Sequence, residues 1–187
     1  MVEGLRLDIE LRSRGWATVR LTAPEVALEF TASYTPRDSI SDLARAAAGL
    51  VVGVPEQVVT WNTEPVEYEW RFATAGGRTR LEDRQFPNYR RQRGRLGDLE
   101  AVVEGDTVVL ARTLWRGLRR LQSMVAAGEF ALLWGHPFPA ATVERLGERV
   151  REQAGQQKEG LDEQPAPADA GAITASGGQQ RSRPPRR

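Results

Sequence analysis

Two pairs of carboxylates stand two residues apart, Asp8 with Glu10 and Glu67 with Glu69. On an extended strand alternate residues share a face, so each pair presents two acids side by side. Such pairs can divide acid and base roles when their surroundings separate their pKa values, the chemistry of a carboxylate-dependent hydrolase. The wet face of an antiparallel sheet produces the same spacing by default, and both pairs are read first as solvated. His136, the single histidine, could carry a proton near neutral pH, but no nucleophile or carboxylate stands beside it in sequence. No residue is therefore assigned as catalytic.

Much other chemistry is excluded. With no cysteine there is no disulfide, thiolate zinc site, iron–sulfur cluster or thiol nucleophile, and one histidine cannot form a cluster. The phosphate-cradling glycine loops and the Gly-x-Ser-x-Gly elbow are missing. Lys158, the only lysine, falls in a segment without a core pattern. Neither a metal nor a cofactor is expected.

Arginine is the remaining signal. Arg78, Arg80, Arg84, Arg90, Arg91, Arg93 and Arg95 fall close together, with Phe86 and Tyr89 among them. Arg112, Arg116, Arg119 and Arg120 follow at helical spacing, with no acid between Thr107 and Gly128. Residues 1–75 hold 7 Arg and 11 acids, whereas residues 76–128 hold 11 Arg and 6 acids. A basic surface with aromatics can follow a phosphate backbone, and it can equally recognise an acidic protein. The candidate binding residues are Arg112, Arg116, Arg119, Arg120, Arg90, Arg91, Arg93 and Arg95. The strong preference for Arg over Lys suggests a GC-rich bacterial genome, and it dilutes the functional content of any one arginine.

These residues need elements to hold them. Leu5, Leu7, Ile9 and Leu11 alternate with polar residues, and Trp16–Leu21 returns after a turn, so a hairpin opens the chain. Val26–Ala32 predicts a third strand. Ser39, with Asp42 three residues on, predicts the start of a short helix that ends in Val-Gly-Val-Pro. Strands are predicted over 57–63, 66–72, 78–86 and 99–103. On the second of these, Tyr68, Trp70 and Phe72 are expected to face a long helix, with Glu67, Glu69 and Arg71 outward. Asp106 caps that helix, predicted from Thr107 to about Ala127, whose inner stripe is Leu110, Leu114, Leu118, Leu121 and Val125. In Trp134-Gly135-His136-Pro137-Phe138-Pro139 the glycine and prolines read as a helix stop, before a last helix from Ala140 to about Glu152.

Ala32-Ser33-Tyr34, Ser41-Asp42-Leu43, Glu64-Pro65-Val66-Glu67-Tyr68-Glu69-Trp70 and the Trp134–Pro139 hexapeptide together resemble a group of uncharacterised bacterial, largely actinobacterial, proteins. The resemblance covers most of residues 16–139 and implies no activity, so no site residue follows from it.

The expected fold is α+β, an antiparallel sheet of hairpin-connected strands with C-terminal helices packed on one face. Residues 1–152 form the single domain, and residues 153–187, poor in large apolar side chains, form a disordered tail. The charged N-terminus lacks the apolar stretch of a signal peptide, and no run is long enough to span a membrane, so a cytoplasmic protein is expected. The expected function is non-enzymatic, binding a protein partner with an acidic surface. An RNA- or DNA-binding module using the 78–95 segment and the arginine face of the 107–127 helix is the first alternative. The hydrolase is the second.

Overall fold

The computed structural model describes residues 4–88 and 96–162. Arg90, Arg91, Arg93, Arg95 and Tyr89, and the 163–187 part of the expected tail, lie outside the described residues.

Among the described residues seven strands form one antiparallel sheet in chain order. They are β1 (Arg6–Ser13), β2 (Trp16–Ala23), β3 (Val26–Ser33), β4 (Glu56–Asn62), β5 (Glu67–Ala75), β6 (Arg78–Phe86) and β7 (Asp98–Asp106). A helix α1 (Ser39–Val51) separates β3 from β4, and α2 (Thr107–Met124), α3 (Ala127–Trp134) and α4 (Ala140–Asp162) follow the sheet. This is the α+β architecture expected from the change of period along the chain.

The strands pair along most of their length within β1–β3 and within β4–β7, with register slips after Leu11 and after Asp83, but β3 and β4 meet at a single pair, Ser33 with Asn62. The sheet is thus two meanders joined at a seam. Phe30 of β3 bridges it: its ring stacks on Tyr68 at 4.8 Å, tilts against Trp61 at 5.8 Å and meets Trp70 edge-on at 6.1 Å. Trp70 is therefore buried as expected, but its ring neighbours are Phe30 and Trp61, the latter 5.3 Å away. The long helix α2 packs chiefly on β1, α1 and α4, and Leu110, Leu114, Leu118 and Leu121 join Leu7, Ile9 and Val19 in the core.

Element ends differ from the sequence expectation where caps compete. Asp38, not Ser39, caps α1, its Oδ1 accepting from the Ser41 amide. Ser39 instead donates its hydroxyl to the Thr60 carbonyl of β4. The long helix stops at Met124, because Val125 and Ala126 are extended, and α3 starts afresh. Helix α4 continues to Asp162, ten residues past the expected end at Glu152, and Gln153 reaches back to the Val51 carbonyl at the end of α1.

The hexapeptide ends α3 as a helix stop should. Gly135 takes φ 90°, the left-handed conformation that favours glycine, and its amide caps the Ala131 carbonyl. Trp134 is buried and donates its indole N–H to Asp38 Oδ1 at 2.8 Å, so one carboxylate caps α1 and anchors α3. Tyr34 lies edge-on to both Trp134 and His136. Three of the four quoted segments thus converge on one structural clasp.

Candidate functional site: a basic groove between two helices

The arginines of the sheet other than Arg78 are engaged with acids of the sheet. Arg6 pairs with Asp8, Arg12 and Arg20 hold Glu10, and Arg20 also clamps Glu29. Arg80 joins Glu82 and Glu104, and Arg84 takes the other oxygen of Glu82 and the Gly97 carbonyl. The arginines hold the carboxyls of Asp8, Glu29 and Glu82 below the ordinary carboxylate range, chiefly by hydrogen bonding. The Asp8–Glu10 pair is therefore tied up in ion pairs on the polar face. In the β6 part of the expected basic segment, Arg80 and Arg84 are neutralised, whereas Arg78 is exposed.

Glu67 and Glu69 correct another expectation, since both are buried rather than solvated. Period two divides a strand into two faces but does not say that the second is wet. β5 is an interior strand, and residues paired across strands share a face. Glu67 lies between Asn62 and Phe86, and Glu69 lies between Thr60 and Arg84. Arg71 donates to Glu69 at 3.2 Å.

The four arginines of α2 do not act as one set. Arg120 turns toward β1, where it donates to the Leu7 carbonyl and its Nε sits 3.2 Å from Asp8 Oδ1. It ties helix to sheet. Arg119 is exposed and donates to Gln122 one turn on. Arg112 and Arg116, one turn apart, border the contact with α4, where a groove of about 390 Å³ is lined by both of them with Trp115, Val150, Arg151, Ala154 and Gly155. On the other side of Trp115 a second hollow, of about 300 Å³, is lined by Arg119, Glu144, Gly147, Glu148 and Arg151. Trp115 and Arg151 belong to both and form the ridge between them.

Local packing explains the shape. Gly147 lets α4 approach the indole of Trp115 so closely that a Cβ there would stand 2.6 Å from Nε1. The Nε1 of Trp115 is buried there without a hydrogen-bond partner. Among the described residues no carboxylate lies within ion-pair distance of Arg112, Arg116 or Arg151, in contrast to the sheet arginines. Three guanidinium groups therefore face a groove floored by an aromatic ring and aliphatic carbon. Sequence reasoning missed Arg151, because nothing local links it to α2; only the packing of α4 brings it there.

Among the described residues no three His, Cys, Asp or Glu side chains gather as a metal-holding group, and no helix is long and apolar enough to cross a membrane. The chain matches no protein-family model, no curated protein and no solved structure.

Proposed function

We propose that this protein is a non-enzymatic binding module that holds an acidic segment of a protein partner in the groove between α2 and α4. The observation that carries this reading is the uncompensated trio Arg112, Arg116 and Arg151 around Trp115 and Val150, in a molecule whose sheet arginines, Arg78 apart, are engaged. A groove between helices with an apolar floor suits an amphipathic peptide, and guanidinium groups at its rim suit carboxylates. A nucleic acid fits it less well, since Trp115 is the single aromatic among the groove's lining residues and offers one stacking surface. Glu144 and Glu148 in the adjoining hollow confine an acidic ligand to the side of Arg112, Arg116 and Arg151. A cytoplasmic location accords with this reading.

The test is the double variant Arg116→Gln with Arg151→Gln. Both side chains are exposed, so the melting temperature should stay within about 2 °C of wild type. A fluorescent peptide of alternating Glu and Leu should bind the wild-type chain with salt-sensitive affinity and lose about tenfold or more in the variant. A single-stranded oligonucleotide is run alongside. If it binds and the peptide does not, the nucleic-acid alternative replaces this one. Equal peptide binding by wild type and variant would remove the groove from consideration.

A further inference from the structure

Asp83 of β6 is 1% exposed, and neither of its carboxylate oxygens makes a well-formed hydrogen bond, although the Trp70 indole N–H stands near it as a weak donor. It is paired with Trp70 on one side and Ala101 on the other, and the ladder to β7 slips just after it. The indole nitrogens of Trp70 and Trp61 are likewise buried without a well-formed hydrogen bond. None of these polar atoms has surface open to a water-sized neighbour, so the site has no room for a resident water or a small ligand. An unpartnered carboxylate in such a place costs several kcal/mol, and proteins avoid that by keeping the group neutral. Asp83 shares a strand face with Trp70, the ring that meets Phe30 across the seam.

We propose that Asp83 is a proton-operated latch: neutral, it lets the β1–β3 and β4–β7 meanders close over the aromatic cluster, and ionised, it opens their seam. The seam is the weak line of the sheet, since one pair, Ser33 with Asn62, spans it. Among the described residues, the charged and titratable groups facing Asp83 favour the neutral form. From β7 comes Glu100, a like charge, and from β5 comes Tyr68, whose phenol is itself raised by burial and by Asp83 and Glu100. Along β6, Glu82 and Arg84 are bound to each other on the opposite face, and Gln85, which shares the Asp83 face, pairs with Asp98. β3 and β4 contribute Phe30 and Trp61, which do not titrate. Burial, assisted by Glu100 and opposed by the nearby Trp70 indole, pushes the carboxyl up to about 7.

The experiment is amide hydrogen exchange on the full chain from about pH 5 to about pH 9, corrected for intrinsic rate, with β1–β2 amides as the internal reference. Protection in β3 and β4 should fall about tenfold or more through neutrality while the reference stays level. Asp83→Asn should abolish the transition and keep the seam protected throughout. Glu100→Gln, at an exposed position, should move the midpoint to lower pH. If Asp83→Asn does not fold, the Glu100→Gln displacement and a carbon-13 titration of the Asp83 carboxyl decide the matter. A flat profile in the wild type overturns the latch, as does a transition unmoved by Glu100→Gln. So does a transition that persists in a folded Asp83→Asn, or a carboxyl that titrates while seam protection stays constant.

Discussion

Glu69 has the spacing of a solvated residue, yet at the scale of single side chains it is buried beside Arg71. Glu69→Ala should therefore cost about 1–3 kcal/mol, a buried charge-assisted bond lost. Trp70→Ala, emptying the aromatic cluster, should cost about 3–5 kcal/mol, and chemical denaturation of both variants gives the ranking. Asp83 is inconspicuous in the sequence because an Asp among Arg and Glu on a strand looks ordinary; burial and orphaned oxygens are properties of the fold. In the folded chain its carboxyl titrates near 7, against the usual 3.8. Between those values the native state binds the extra proton, and stability falls as pH rises. Compared with Asp83→Asn, the wild type should lose up to about 4 kcal/mol between pH 4 and pH 8, each tenfold change in proton affinity being worth about 1.4 kcal/mol. Denaturant midpoints of the two proteins at both pH values check this; equal pH dependence in the two would refute it.

At the scale of elements, period was legible and closure was not. The alternation in Leu5–Leu11 and Val26–Ala32 places β1 and β3 correctly, and the leucine stripe places the inner face of α2, because periodicity is a local property. The break at Val125–Ala126 is hidden by continuous apolar spacing across it. Competition between Asp38 and Ser39 for the α1 cap is settled by β4, whose Thr60 carbonyl takes the serine. The groove is half legible: Arg112 and Arg116 stand out at helical spacing, whereas Arg151 arrives from α4 and Arg120 departs to β1. Gly147 is the element-scale lever. Gly147→Leu should force α4 off Trp115, costing about 1–3 kcal/mol as overpacking and raising the indole's exposure, which a red-shifted tryptophan emission would report.

At the scale of the whole molecule, charge is segregated between layers: the seven strands hold 7 Arg and 12 acids, whereas α2 holds four Arg and no acid. Helix α4 spans the expected domain border at residue 152, and Gln153 bonds to the end of α1. Truncation after Asp162 should leave the melting temperature unchanged, while truncation after Glu152 should lower it by a few degrees; calorimetry on both separates the two borders. The single-pair seam between the meanders also bears on biosynthesis. β1–β3 pairs only with itself until β4 appears, so on the ribosome it can zip up while Phe30 still waits for Trp61, Tyr68 and Trp70. For the time needed to synthesise those thirty or so residues, roughly 2–6 s, the nascent chain displays a three-stranded unit whose Phe30 edge is bare, as is the face that the leucines of α2 later cover. That interval is when a chaperone has something to hold.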